Sequence, residues 1–217
     1  MNWRAKTMSW LLLGFVRLLT GAQARWYGCP PKAEQRIYFA NHQSHADLVL
    51  IWAALPSELR GITRPIAAKD YWTTGRLKRW ITTEVFNAVY VDRMGGKAPA
   101  DAAPDPSAPV ADPLEPLVAA LQSGDSIIIF PEGTRGHADE PQPFKSGLYT
   151  LATRFPDVVL VPAWINNVQR VMPKGEVVPV PILCSVTFGA PVRVEPGEER
   201  RPFLDRARQA VMALRDV

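Results

Sequence analysis

Residues 37–47 read Ile37-Tyr38-Phe39-Ala40-Asn41-His42-Gln43-Ser44-His45-Ala46-Asp47, and apolar residues resume at Leu48-Val49-Leu50-Ile51-Trp52. A short apolar and aromatic run reads as a buried strand, the polar stretch after it as an elbow, and residues 47–55 as a helix. The same order recurs along the chain. Ile66-Ala67-Ala68 precedes Lys69-Asp70, Ala88-Val89-Tyr90-Val91 precedes Asp92-Arg93, and Ile127-Ile128-Ile129-Phe130 precedes Pro131-Glu132-Gly133-Thr134-Arg135. Helical patterns at 47–55, 75–82, 114–122 and 145–154 separate these runs. Two further strands, 158–161 and 182–188, and a closing helix over 202–214 complete the pattern. Strand–helix alternation predicts an α/β fold, a largely parallel central sheet flanked by helices. Ligands of such sheets gather beyond the carboxyl ends of the strands, so the polar clusters at the strand ends are expected to converge on one crevice.

Composition agrees with a single sizeable core. The chain has 217 residues, 47% apolar and 21% charged, which excludes wholesale disorder, collagen and coiled coil. Its 21 prolines predict many loops and abrupt strand ends. Cys29 and Cys184 are too few for a disulfide framework, and no Cys/His cluster has zinc spacing. The net charge of +4 is unevenly spread: residues 1–36 and 60–80 each carry six Lys/Arg and one acid, whereas 92–142 carry nine acids and three bases. Such basic zones suit an anionic membrane surface or a phosphorylated ligand. No nucleic-acid reading motif accompanies them. Residues 94–113, rich in Ala, Pro and Asp, are expected to form a mobile surface loop.

The first 28 residues admit several readings. Arg4 and Lys6, the apolar run 8–19 and Ala22-Gln23-Ala24 resemble a signal peptide, but Arg17 interrupts the run. The run is also about half the ~20 residues of a membrane span. At 100° per residue, Met8, Leu11, Leu12, Phe15, Leu18 and Leu19 share one side, with Lys6 and Arg17 opposite and Trp3 and Trp10 beside them. An interfacial amphipathic helix over 1–28 is therefore expected. A helix packed on the protein's own core is the competing reading.

Two constellations carry chemistry. In the first, the carboxylate of Asp47 can turn back across the elbow to His42, fix its tautomer and stabilise the imidazolium when it takes a proton. Ser44-x-x-Asp47 is also a helix capping box, in which Asp47 would serve only backbone N–H groups. In the second, Pro131 stops the strand, Gly133 lets a ligand approach the backbone, and Arg135 offers a planar fork for phosphate. Glu132 would orient Arg135 or bond a ligand hydroxyl, unless the loop merely closes on its own salt bridge. His45 is expected to face outward, and His137 and Lys145 to border the site.

Asn41-His42-x-Ser44-x-x-Asp47, followed some 85 residues later by Phe130-Pro131-Glu132-Gly133-Thr134-Arg135, resembles the glycerolipid acyltransferases, and most of all the bacterial 1-acyl-sn-glycerol-3-phosphate acyltransferase family. Asp92-Arg93, Phe144-Lys145-Ser146-Gly147 and Val161-Pro162-Ala163-Trp164 resemble further motifs of that family, and the likeness spans about residues 36–190. It implies an acyltransferase domain over 29–217 behind the helix at 1–28. It also implies His42 as general base and Asp47 as its orienting partner. Arg93, Glu132, Gly133, Thr134, Arg135 and Lys69 would bind substrate, Arg135 and Arg93 holding phosphate with Lys69 as a further candidate. The implied acceptor is a lysophospholipid. The acyl thioester donor, acyl-CoA or acyl-acyl carrier protein, is a co-substrate, and no bound cofactor or metal is expected. The implied location is the cytoplasmic face of the cell membrane, peripheral or monotopic. A different acceptor such as a lyso-ornithine lipid, or a membrane-binding protein with a disused site, are the alternatives.

Overall fold

The computed structural model describes residues 3–21, 23–44, 46–69, 73, 75–91, 112–136, 140–166 and 183–217. The sheet is built around strand β2, Arg36–Ala40, every residue of which is buried. Tyr38 and Ala40 join one apolar cluster, and Ile37 and Phe39 join the other. That is why β2 reads as a continuous apolar run rather than an alternating one. Parallel to it on either side lie β5, Ser126–Ile129, and β6, Val159–Asn166. With β1 (Gln23–Trp26), β3 (Thr63–Ala68), β4 (Val89–Val91) and β7 (Ser185–Phe188), the sheet order is β1-β7-β6-β2-β5-β3-β4. All pairings are parallel except β6 with β7.

Helices cover both faces. Helix α1 (Trp3–Thr20) packs on α2 (Asp47–Ala54) and on a π-helical turn at Ile81–Val85 that continues α4 (Arg76–Trp80). Under this layer lie Tyr38, Leu48, Ile51, Trp52 and Phe188. Helices α5 (Glu115–Gln122), α6 (Gly147–Arg154) and α7 (Arg200–Met212) cover Phe39, Ile127, Leu121, Leu151 and Phe203. A short α3 (Ser57–Ile62) leads directly into β3.

The predicted α/β architecture is the observed one, with differences at its edges. The N-terminal helix ends at Thr20, and residues 23–26, expected to be helical within 1–28, form β1 and pair in register with Ser185–Phe188. Backbone pairing with a distant strand outweighs the local pattern there. Helix α1 is also apolar on two sides. Ala5, Met8, Leu12 and Val16 turn inward, whereas Trp3, Trp10, Leu11, Phe15 and Leu18 remain exposed. Strand β6 runs five residues beyond its expected end at 161, through Asn166. Residues 94–111 of the expected loop lie outside the described residues. No helix of the described residues is long and apolar enough to cross a membrane.

Asn41 explains how the sheet holds its shape where β2 stops. It is buried, its Nδ2 donates to the Ile165 carbonyl at 3.2 Å, and its Oδ1 accepts the Ile165 N–H at 2.8 Å. A side chain thus continues the β2–β6 ladder one step past the backbone and keeps the strands together under His42. Asn41→Ala would strand a buried N–H and C=O, each costing about 1–3 kcal/mol. Urea unfolding is expected to show a loss of about 2–5 kcal/mol for this variant.

Candidate active site

The first elbow folds around one carboxylate. Asp47 is 1% exposed, and its Oδ2 lies 2.9 Å from His42 Nδ1. The same oxygen accepts the N–H groups of Gln43 at 2.6 Å and Ser44 at 2.8 Å. Asp47 thus makes both kinds of contact, to the amides that lead into α2 and to the imidazole. The reciprocal half of the capping box is absent, since Ser44 Oγ accepts the N–H of Ala46 and the Asp47 N–H goes to the Ser44 carbonyl. A carboxylate only accepts, so Nδ1 carries the hydrogen and Nε2 is the ring nitrogen left to take a proton. The imidazole is further fixed by stacking on Phe130, with ring centroids 4.2 Å apart and planes 15° apart.

The second elbow, after β5, is stitched to the first. Glu132 is 2% exposed; its Oε1 accepts the His42 N–H at 2.7 Å and its Oε2 the Gln142 N–H at 2.8 Å. The His42 carbonyl in turn accepts the Gly136 N–H at 2.8 Å. Glu132 was expected to orient Arg135 or a ligand hydroxyl; instead its carboxylate is turned inward as a clamp between loops. Gly133 has φ +68°, and its N–H closes a turn on the Phe130 carbonyl at 3.0 Å.

A cavity of about 530 Å³ opens beside these elbows. His42, Phe130, Gly133 and Thr134 line it with Ile66, Leu114, Leu117, Ile129, Leu148 and Leu151, so a polar corner meets apolar walls. Of the residues expected from the sequence, His42 and Asp47 come together, and Gly133 and Thr134 face the cavity. Arg135 and Lys69 are exposed, and neither is part of the lining. Arg93, His45 and His137 lie outside the described residues. Lys145, expected only to border the site, lines the cavity and lies across Gly133, where an added Cβ would stand 2.7 Å from its Nζ. Its signal was the Phe144-Lys145-Ser146-Gly147 stretch, which marks the position but not the course of the side chain.

Both cysteines are buried. Burial raises the Cys29 thiol pKa, and burial together with the nearby Asp47 charge pushes that of Cys184 up to about 11. Neither is poised as a thiolate nucleophile. The arrangement is therefore an imidazole held by a buried carboxylate beside an apolar cavity, and neither cysteine is suited to forming a covalent intermediate.

Comparison with known proteins gives this geometry relatives. The family described as Acyltransferase matches residues 29–166. The 1-acyl-sn-glycerol-3-phosphate acyltransferase of Cocos nucifera is 31% identical over 172 residues, covering 76% of this chain and 48% of that protein. The 1-acyl-sn-glycerol-3-phosphate acyltransferase alpha of Homo sapiens is 28% identical over 210 residues, covering 94% of this chain and 68% of that one. The chain thus spans about half the length of the coconut relative. The crystal structure of the 1-acyl-sn-glycerophosphate (LPA) acyltransferase PlsC from Thermotoga maritima superposes with a TM-score of 0.66 at 20% identity, covering 99% of this chain and 83% of that one. That likeness is one of fold.

The clamp has a pH signature. Burial raises the Glu132 pKa, against the two amide bonds that lower it. The folded chain therefore holds a proton there more readily than the unfolded chain. This contribution to stability is full below the unfolded value, about 4.3, and is lost as pH rises through the folded one. Glu132→Gln keeps an oxygen acceptor and does not titrate. Its stability relative to the unaltered chain is expected to improve as pH rises from about 4 to 7, whatever its constant offset. Urea unfolding across that range measures the slope, and parallel profiles would show that burial does not dominate.

Proposed function

The chain belongs to the acyltransferase family, and from that premise we propose that it moves a fatty acyl group from an acyl thioester to the free hydroxyl of a lysophospholipid, converting 1-acylglycerol 3-phosphate to phosphatidic acid. The observation that carries this reading is the 2.9 Å contact of His42 Nδ1 with Asp47 Oδ2 beside a cavity walled by apolar side chains. The names of the two sequence relatives support the choice of acceptor. His42 Nε2 takes the proton of the acceptor hydroxyl as its oxygen attacks the thioester carbonyl. The tetrahedral intermediate collapses with cleavage of the C–S bond, and the leaving thiolate takes the proton back from the imidazolium. Asp47 stabilises that imidazolium throughout. The thioester carrier is coenzyme A or acyl carrier protein, a co-substrate; the step itself calls for no metal or prosthetic group. Arg135, exposed one residue beyond Thr134, adds positive potential that draws anionic substrates toward the site.

The acceptor is a lipid, and the solvent side of α1 suits a bilayer surface. Trp3 and Trp10 are 72% and 73% exposed, Leu18 is 83% exposed, and Leu11 and Phe15 lie on the same side. Arg4, Lys6 and Arg17 are exposed around them. Aromatic and aliphatic groups framed by cations fit the headgroup boundary, with the helix lying in the plane on the cytoplasmic face. Leu183, 72% exposed, extends this surface next to Gly21.

His42→Ala is expected to lower turnover by about 10²–10⁴-fold while the thermal unfolding midpoint changes little. The readout is thiol release from acyl-CoA in the presence of 1-acylglycerol 3-phosphate, and near-normal turnover would overturn the mechanism. For the membrane contact, removal of residues 1–24 would also remove part of β1, so the better probe is the double change Leu11→Ser and Leu18→Ser at exposed positions. This variant is expected to co-sediment less with anionic vesicles, and binding of the unaltered chain to weaken with salt. Equal sedimentation of both proteins would place the contact elsewhere.

A further inference from the structure

We propose that Arg208, on α7, is a positioning residue for His42, acting through a single peptide group and Glu132. The proposal rests on the reading of His42 as the general base. Between the second elbow and α6 the chain reads Pro141-Gln142-Pro143. Proline has no N–H, so these three residues offer one amide hydrogen, that of Gln142. It goes to Glu132 Oε2 at 2.8 Å. The carbonyl of the same peptide group, that of Pro141, accepts the Arg208 Nε–H at 2.8 Å. One planar group is therefore gripped at both ends, by a guanidinium from α7 and by a carboxylate from the second elbow. Because the group is planar, holding its oxygen also aims its N–H. A donor on the carbonyl further polarises the peptide and strengthens its N–H as a donor. The other oxygen of Glu132 accepts the His42 N–H at 2.7 Å. Arg208, the Pro141–Gln142 peptide, Glu132 and His42 thus form one continuous line of hydrogen bonds.

Arg208 is well placed to anchor that line. Phe203, Leu204, Ala207 and Val211 are buried, which fixes α7 on the sheet. The Arg208 side chain is 22% exposed, and its Nη2 also reaches Glu140 Oε2 at 3.2 Å. The guanidinium therefore grips two successive residues, Glu140 and Pro141. Glu140 is itself largely exposed, so that pair aligns the fork more than it stabilises the fold. Arg206, two positions earlier on the same helix, serves another segment: it bonds both carboxylate oxygens of Glu198, at 3.0 and 2.6 Å, and the Arg193 carbonyl. It supplies a control that disturbs α7 without touching the line to His42.

The test compares the unaltered chain with Arg208→Met, which keeps an apolar stem and removes the donors, Arg208→Lys, which keeps a donor, and Arg206→Met. Amide hydrogen exchange followed by NMR reads the anchor without any reaction. Exchange at Gln142 and His42 is expected to quicken by about 10-fold in Arg208→Met and to stay unchanged in Arg206→Met. Thiol release from acyl-CoA with 1-acylglycerol 3-phosphate reads the consequence. Arg208→Met is expected to lower kcat by about 10-fold with the KM of both substrates unchanged, since the imidazole is placed less often where the hydroxyl needs it. Arg208→Lys should recover part of that loss. In a Glu132→Gln background, where the side chain can no longer accept both amide hydrogens, the loss should shrink to less than about two-fold. Unchanged exchange in Arg208→Met, an equal fall of kcat in Arg206→Met, no recovery in Arg208→Lys, or full additivity with Glu132→Gln would each overturn the proposal. Exchange that quickens as expected in a chain that transfers no acyl group would keep the anchor and defeat the lysophospholipid reading instead.

Discussion

A buried carboxylate that accepts two amide hydrogens from two loops, that of Glu132, sets the geometry on which the site depends. The pairing of β2 with β5 brings the ends of these strands side by side, Phe39 opposite Ile129. Pairing alone does not decide where the chains go next. Glu132 does so by taking the N–H of His42 on one oxygen and that of Gln142 on the other. The imidazole is then held from three sides: its backbone by Glu132, its Nδ1 by Asp47 and its face by Phe130. A general base fixed in this way, the role proposed for His42, reduces the reorganisation the reaction must supply.

The division of labour between the two acids is instructive. Each is almost fully buried, and each satisfies backbone donors as well as shaping the site. Asp47 concentrates its contacts on Oδ2, while its buried Oδ1 has no hydrogen-bond partner among the described residues. Glu132 divides its bonds between both oxygens. The first arrangement focuses negative charge on the histidine; the second distributes it over a joint.

The strands and helices were legible because sheet burial on both faces forces continuous apolar runs, and polar elbows between them are hard to mistake. The contact between His42 and Asp47 was legible because a carboxylate five residues on, across a strand–helix elbow, can turn back to the imidazole. Glu132 was misread because a carboxylate in a Gly-containing loop gives no sign of pointing inward. The course of the Lys145 side chain was not legible because it depends on the absence of a side chain at residue 133. The periodicity of α1 was correctly seen as apolar, but which sector the core covers depends on α2 and the π-helical turn, both far along the chain. Strand β1 was missed altogether, since Gln23-Ala24-Arg25-Trp26 gains strand character only from a partner 162 positions away.

That last pairing bears on how the chain matures during synthesis. Strand β1 pairs with β7 alone, and Arg25 also bonds the carbonyl of Val217, 192 residues on. At about 5–20 residues per second, a ribosome needs roughly ten to thirty seconds to deliver β7 after β1 has emerged. Until then the edge of the sheet cannot close, although α1 can already settle on α2 and the π-helical turn. Strand β1 therefore joins the sheet only after β7 is made, and contacts of such long sequence separation are the slow ones in folding. Until β7 emerges, Trp26 lacks the Phe188 ring on which it stacks in the folded chain, 4.1 Å between centroids.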